Sequence, residues 1–206
     1  MNIKLIKMKK LSLLTLVFTI ISGLNSFAQI AEKAEEISPL LIGEKIPDIT
    51  LRSTSGKQET LASITAGKPS ILLFYRGGWC PFCNRHLAEI GTIEDKILEL
   101  GYQLIAISPD APEKLVASID KNKLKYNLYS DGNGALSQAM GIAFKAAERS
   151  LGTLTEYSNG LNSGFLPVPS VFVINSNGVI AFEYINPNYK VRISAKLLLA
   201  VLENLK

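Results

Sequence analysis

The two cysteines of this chain lie two residues apart in the stretch FYRGGWCPFC, which covers residues 74–83. A structural disulfide stabilises a fold most when it closes a long loop, and Cys80 and Cys83 would close almost none. A structural zinc ion usually takes four ligands, and His86 is the only histidine of the chain. The spacing therefore favours a redox centre, while an inert pair of buried thiols stays open as the alternative.

The residues around the cysteines predict a strand followed by a helix. The apolar run Ile71–Tyr75 is typical of a strand that is buried on both faces. Pro81 suits the first position of a helix, which makes Cys80 the N-cap and places Cys83 in the first turn. The free N–H groups and the positive end of the helix favour a thiolate there.

Other residues are expected to shape the site. Arg76 could support a thiolate or a peroxide oxygen by its charge, or could be a solvated residue at the end of a strand. Trp79 could shield the site and offer a surface to a partner, or could be an ordinary rim aromatic. Pro169 could follow a cis peptide bond that faces the cysteines, although most such bonds are trans. His86 lies three residues after Cys83 and could donate to it, but an exposed position is the plainer expectation.

The remaining pattern alternates strands and helices. Apolar residues recur every three to four positions up to Leu100 and predict one helix from Cys80 to about Leu100. The other predicted elements are a strand near 49–53, a strand over 102–110, a helix over 111–124, a strand over 126–131, a helix over 134–141, two strands around Asn177-Gly178 and a closing helix over 193–205. Parallel units followed by a hairpin predict an α/β, thioredoxin-like fold, with a central mixed sheet flanked by helices on both faces. The polar residues 145–166 predict an inserted loop, partly helical, beside the site.

The first 28 residues have the pattern of a secretory signal. A lysine-rich start precedes the apolar run Leu11–Leu24, and Ser26 and Ala28 are small residues suited to a cut after Ala28. The run is shorter than the roughly 20 residues of a membrane span, although an uncleaved anchor is the alternative. We therefore expect export to a bacterial periplasm, without stable membrane association once the signal is removed. The expected parts are a signal peptide over 1–28, a polar lead-in over 29–42 and one domain over 43–206.

The charge of the chain belongs to that first segment. Its four lysines account for the formal net charge of +4, and the rest of the chain is neutral overall with no long basic run. We therefore expect no nucleic-acid partner. We expect no cofactor and no metal ion either.

Several segments resemble the peroxiredoxin-like AhpC/TSA branch of the thioredoxin superfamily, over about residues 40–190. They are GEKIPDITL, SILLFYRGGWCPFCNRHL, LIAISPDAPEKL and PSVFVINSNGVIAFEY. The family carries a Pro-x-x-x-Thr-x-x-Cys motif, and the resemblance places its peroxidatic cysteine at Cys83 and its threonine at Cys80. The family's later arginine falls at Pro169. WCPFC is instead similar to the thioredoxin WCxxC, so the resemblance implies a hybrid of a peroxiredoxin-like body and a thioredoxin-like dithiol.

The resemblance implies a thiol peroxidase that reduces hydrogen peroxide and alkyl hydroperoxides. In that function Cys83 would be oxidised to a sulfenic acid, Cys80 would resolve it, and a thioredoxin-like donor would reduce the resulting disulfide. An exported thiol–disulfide oxidoreductase is the alternative, with an exposed Cys80 as nucleophile and Cys83 as resolver, acting on a disulfide substrate. A third hypothesis is a binding module with an incidental dithiol.

Overall fold

The computed structural model of the chain describes residues 30–205. The strands in this range are β1 Thr50–Ser53, β2 Gln58–Thr60, β3 Ser70–Phe74, β4 Gln103–Ser108, β5 Asn127–Ser130, β6 Ala143–Lys145, β7 Phe165–Pro167, β8 Ser170–Ile174 and β9 Ile180–Ile185. The α-helices are α1 Leu61–Thr65, α2 Pro81–Gly91, α3 Glu94–Glu99, α4 Pro112–Asn122, α5 Ala135–Ala139, α6 Glu148–Tyr157 and α7 Ala195–Asn204. None of these helices is long and apolar enough to cross a membrane. The predicted signal peptide lies outside the described residues.

The main sheet has seven strands in the order β2-β1-β5-β4-β3-β8-β9. Strands β3, β4 and β5 run parallel, and β1, β2, β8 and β9 are antiparallel to their neighbours. The short strands β6 and β7 form a separate antiparallel pair. This arrangement confirms the predicted mixed sheet, which combines parallel units with a closing hairpin.

Side chains of β3 alternate between two hydrophobic cores. Ile71 and Leu73 pack with residues of α2, α3, α4 and α7, whereas Leu72 and Phe74 pack with residues of α1 and α5. All four side chains are buried, as expected for a central strand with helices on both faces. The predicted covering of both faces is therefore confirmed, and the carboxyl end of β3 is held between β4 and β8.

The single helix predicted from Cys80 to Leu100 is wrong, because the chain forms two helices there. After α2, the hydroxyl of Thr92 donates to the carbonyl of Glu89 at 2.7 Å, and Ile93 N donates to Ile90 O at 3.1 Å. These three-residue bonds replace the α-helical ladder, since a threonine hydroxyl competes for the backbone carbonyls of the preceding turn. The apolar period continues across the break, which is why the sequence did not reveal it.

The lead-in and the predicted loop over 145–166 are joined to each other. Ala31 N donates to Ala143 O at 3.1 Å, and Lys145 N donates back to Ala31 O at 2.8 Å. The segment 145–166 contains the ten-residue helix α6, and its two ends belong to β6 and β7. Strand β2, helix α1 and this small sheet were not predicted from the sequence, because they are short elements with few periodic residues.

Candidate active site

Both cysteines are placed by the start of α2. Cys80 is its N-cap, with extended backbone angles, and Pro81 occupies the first turn, as the sequence predicts. The amides of Cys83 and Asn84 donate to the carbonyl of Cys80 at 3.0 and 3.1 Å. The pair therefore lies at the carboxyl end of β3, where ligands and reacting groups collect in open α/β sheets.

Two glycines let the chain turn sharply between β3 and the cysteines. Gly78 N donates to Oδ2 of Asp110 at 2.6 Å, and Asp110 is 1% exposed. Gly77 has a φ of 142°, and a Cβ there would come within 2.7 Å of Oδ1 of Asp110. A larger residue would strain the backbone and push against the buried carboxylate. The GG pair before WCPFC thus fixes the approach to Cys80.

The two thiols differ in acidity although each residue is only 1% exposed. A hydrogen bond from the Cys83 thiol lowers the pKa of Cys80 to about 6, and the charge of Arg76 adds to this effect while burial opposes it. The same thiol–thiol hydrogen bond, together with burial, raises the pKa of Cys83 well above its ordinary value. Near neutral pH the thiolate is therefore on Cys80, which is buried rather than exposed as the second hypothesis had it.

Arg76 is held between two aromatic rings beside the thiolate. Its guanidinium carbon lies 4.9 Å from the ring centroid of Trp79 and 4.3 Å from that of Tyr189. Tyr189 also meets Phe82 edge to face, with centroids 5.6 Å apart. Nε of Arg76 and Nε1 of Trp79 are buried without a hydrogen-bond partner. The arginine is therefore oriented by cation–π contacts and is not a freely solvated charge.

Cys80 opens onto a groove of about 780 Å³, and Cys83 does not line it. The walls come from four parts of the chain: residues 32–35 of the lead-in, residues 76–82, residues 144–153 and residues 187–189. Pro169 also lines the groove, but the peptide bond before it is trans, so the cis alternative is wrong. This volume is in the range of pockets that hold drug-sized ligands.

The connection between β9 and α7, residues 186–194, runs along α2 and was not singled out by the sequence. Nε2 of His86 donates to Ile193 O at 3.1 Å, and Ala195 N donates to Oε1 of Glu89 at 2.9 Å. Nη2 of Arg192 lies 3.7 Å from the sulfur of Cys83. The apolar pattern of α2 predicts that one of its faces is covered, but it does not say by which segment. Arg192 belongs to no motif, so the sequence does not indicate that it lies beside Cys83.

His86 is buried, so the expected exposed position is wrong. Burial, and then the nearby charge of Arg192, lower its pKa to about 4. The imidazole is therefore neutral at physiological pH, and its Nε2–H is directed at Ile193 O. Its role in this structure is to hold the connection 186–194 against α2.

A second set of polar groups lies buried behind the loop. Burial raises the pKa of Asp110 to about 7, against the opposing effect of the Gly78 N–H bond. The Tyr75 hydroxyl is buried without a partner, and burial followed by the charge of Asp110 raises its pKa well above its ordinary value. Within residues 30–205, no group of three or more His, Cys, Asp or Glu side chains is placed to hold a metal ion.

Comparison with known proteins identifies the family. The model of the AhpC/TSA family matches residues 42–183. The chain belongs to the AhpC/TSA family. That match covers the cysteines, α2 and the strands on both sides of β3, whereas residues 32–35 and the connection 186–194 lie outside it.

Curated relatives and solved structures agree with this family. The chain is 29% identical over 106 residues to a putative peroxiredoxin bcp of Haemophilus influenzae, which is 52% of this chain and 68% of the relative. It is 26% identical over 154 residues to the chloroplastic peroxiredoxin Q of Suaeda salsa, covering 75% of this chain and 64% of the relative. The chain therefore spans about two thirds of the length of these relatives. The prediction of a peroxiredoxin-like oxidoreductase is confirmed at the level of this family.

Two solved structures show the same fold. Peroxidoxin BcpB from Mycobacterium tuberculosis has a TM-score of 0.64 at 18% identity, over 80% of this chain and 97% of that one. Reduced Prx3 from Vibrio vulnificus in complex with hydrogen peroxide has a TM-score of 0.68 at 19% identity, over 80% and 97%. At these identities the likeness concerns the fold, and it confirms the thioredoxin-like arrangement predicted from the sequence.

Proposed function

We propose that this chain is a thiol-dependent peroxidase that reduces hydrogen peroxide and alkyl hydroperoxides through Cys80 and Cys83. The observation that carries the proposal is the pair of sulfurs of unequal acidity at the start of α2, inside an AhpC/TSA body. A thiolate is the form of cysteine that attacks a peroxide. The site supplies one on Cys80 at neutral pH.

In this proposal Cys80 attacks first, which reverses the order expected from the family spacing. Cys80 carries the thiolate and lines the groove, whereas Cys83 lies behind it and holds its proton. The Cys80 sulfur attacks one oxygen of the hydroperoxide and the O–O bond breaks. Cys80 becomes a sulfenic acid, and the other oxygen leaves as water or an alcohol after taking up a proton.

Cys83 then closes the cycle. Its sulfur attacks the sulfur of the Cys80 sulfenic acid, a disulfide forms, and hydroxide leaves and takes up the thiol proton as water. A thioredoxin-like dithiol supplies the two electrons that reduce the Cys80–Cys83 bond by exchange. The two-residue spacing lets this second step occur within one turn of α2.

Thiol–disulfide exchange is the second candidate, and the groove favours it. Hydrogen peroxide needs far less room than about 780 Å³, whereas a segment of a disulfide-bonded peptide would fill such a space. The low pKa of Cys80 also matches the nucleophile of an exchange reaction. In this function the same two sulfurs act in the same order, but on a disulfide.

Trapping of the first covalent product separates the two candidates. Reduced Cys83→Ser is mixed with hydrogen peroxide, cumene hydroperoxide or a disulfide-bonded peptide, and a dimedone-type reagent captures any sulfenic acid. The peroxidase predicts rapid sulfenic acid on Cys80 with either hydroperoxide. Cys80→Ser is the matched variant, and it should react more slowly because Cys83 is buried and does not line the groove.

Rapid sulfenic acid on Cys83 in Cys80→Ser would restore the order implied by the family spacing and contradict the one proposed here. A rapid mixed disulfide on Cys80 without sulfenic acid would replace the peroxidase by the exchange function. Inertness of both variants toward every oxidant would leave the binding module as the better account.

We also infer that the protein is exported, from the sequence pattern of residues 1–28 alone. The N-terminus of the protein purified from its own cells should begin at Gln29. Full-length protein in a cytoplasmic fraction would contradict this inference.

A further inference from the structure

Arg192 reaches the sulfur that faces away from the groove. Its Nη2 lies 3.7 Å from Sγ of Cys83, and its Nη1 donates to the carbonyl of Val191 at 3.0 Å. Its Nε is buried without a hydrogen-bond partner. Among residues 30–205 no carboxylate forms an ion pair with Arg192, so its charge is not already neutralised by a neighbour.

The connection 186–194 holds this guanidinium in place. Tyr189 packs edge to face on Phe82, Ile193 accepts the hydrogen bond of His86, and Ala195 donates to Glu89. These contacts occur in the same order along the connection as along α2. The contact of Arg192 with Cys83 lies between that of Tyr189 and that of Ile193. Because the residues before and after Arg192 are both held against α2, its guanidinium is already in position. Little reorganisation energy is then needed when a negative charge forms on Cys83.

We propose that Arg192 is a catalytic residue for the steps in which the Cys83 sulfur carries negative charge, and that it stabilises that sulfur as attacking group and as leaving group. The proposal rests on the proposed function, in which Cys83 resolves and is later released. In reduction, a dithiol thiolate attacks Sγ of Cys80, the Cys80–Cys83 bond breaks, and its electron pair stays on Cys83. The cation beside Cys83 favours that departure.

The surroundings of Cys83 change in the course of the cycle. In the resting dithiol, the hydrogen bond and the negative charge of Cys80 raise the pKa of Cys83, together with burial. Once Cys80 is bound in a disulfide with the reductant, it has neither a free charge nor a thiolate that accepts a hydrogen bond. Burial then remains to oppose ionisation, and the charge of Arg192 acts against it. The effect of Arg192 should therefore appear in the disulfide steps and not in the first attack on a peroxide.

The test separates these steps with a set of single variants. Arg192→Gln removes the charge, Arg192→Lys keeps it on a different stem, and Lys196→Gln removes a charge from an exposed position on α7. Each protein is oxidised with diamide, and reduction by dithiothreitol is followed in a stopped-flow instrument through tryptophan fluorescence. This assay uses no peroxide, so it reports on Arg192 even if the peroxidase proposal fails.

We expect Arg192→Gln to slow the reduction about tenfold or more, Arg192→Lys to recover most of the rate and Lys196→Gln to leave it unchanged. In a Cys83→Ser background, sulfenic acid formation on Cys80 should change less than twofold with Arg192→Gln. Equal slowing of both steps, or no slowing of the reduction, would overturn the proposal. If Arg192→Gln lacks a cooperative thermal transition, Arg192→Met, which keeps the aliphatic stem, takes its place with the same criteria.

Discussion

Cys80 and Cys83 are one helical turn apart, yet they face different parts of the molecule. Cys80 lines the groove and has Arg76 nearby, whereas Cys83 faces the connection 186–194 and its Arg192. Both residues are equally buried. They differ in that Cys80 borders the groove and Cys83 does not, and the hydrogen bond to Cys80 together with burial raises the pKa of Cys83 while that of Cys80 is lowered.

One Cys-x-x-Cys motif thus combines two kinds of thiol. A sulfur at the N-cap lies at the positive end of the helix and beside its partner thiol, and its pKa is lowered there, so its thiolate is favoured. The sulfur three residues later donates that hydrogen bond and keeps its proton. The first is ready to attack, and the second is available only after the first has reacted.

The largest expected effect concerns the buried polar groups behind the loop. Asp110 has a raised pKa of about 7, so it stabilises the fold at pH values below its unfolded pKa near 4, and this contribution is lost as the pH rises through about 7. The side chain of Asp110→Asn cannot ionise. Between pH 4 and pH 7.5 the free energy of unfolding of this variant should therefore fall by about 2–4 kcal/mol less than that of the wild type. Urea unfolding at several pH values measures this difference.

The matched control for that change is Asp120→Asn, an exposed carboxylate on α4. It should follow the wild-type profile of unfolding free energy against pH. Parallel profiles for Asp110→Asn and the wild type would show that Asp110 is ionised in the fold over the whole range.

The next effect tests the hydrogen bond between the cysteines. Cys83→Ala removes the donor and should raise the pKa of Cys80 by one unit or more, which is about 1.4 kcal/mol per unit. Cys83→Ser keeps a donor and should leave the pKa nearer to about 6. The rate of iodoacetamide labelling against pH gives both values. Identical pKa values in the two variants would mean that the partner thiol does not control Cys80.

A smaller effect concerns the aromatic support of Arg76. Tyr189→Ala removes one of the two rings that contact Arg76. The guanidinium should thereby lose about 0.5–2 kcal/mol of cation–π interaction energy that holds it in position. The pKa of Cys80 should then rise slightly, because the charge beside it is less well fixed. Tyr189→Phe keeps the ring and should behave as the wild type in the same labelling assay. A loss in Tyr189→Phe equal to that in Tyr189→Ala would assign the effect to the hydroxyl.

The smallest effect concerns the lead-in wall of the groove. Glu32 pairs with Lys145 on β6, and both side chains are largely exposed. Glu32→Gln should therefore lower the unfolding free energy by less than about 1 kcal/mol. Because it borders the groove, it should change the KM for cumene hydroperoxide more than that for hydrogen peroxide. Equal changes for both substrates would indicate that the lead-in does not contact the larger one.

The residues around the two cysteines could be predicted from the sequence because their signals are local, whereas the other walls of the groove come from distant segments. A buried strand, a Pro at the first helical position and two cysteines in one turn are neighbours in the chain, so Cys80, Cys83, Arg76 and Trp79 were found together. The central strands of the main sheet were equally predictable from their apolar runs, whereas the short edge strand β2 was not.

The other side could not be predicted because it depends on contacts across the chain. Arg192 contacts Cys83 although the two residues are 109 positions apart in the sequence. Asp110 accepts a hydrogen bond from Gly78, which is 32 positions away. Neither residue belongs to a periodic pattern or a spaced motif, and the burial of His86 follows from the same connection. Such contacts follow from the order of strands in the sheet, which brings distant segments to the end of β3.

The most direct test of the central claim is a site-resolved titration of the two thiols in the reduced wild-type protein. Short pulses of iodoacetamide at pH values from 4 to 10, followed by peptide mass spectrometry, give the labelling of each cysteine separately. The account predicts a midpoint near 6 for Cys80 and no comparable labelling of Cys83 below pH 9. Labelling of Cys83 before Cys80, or a common midpoint near 9, would contradict it.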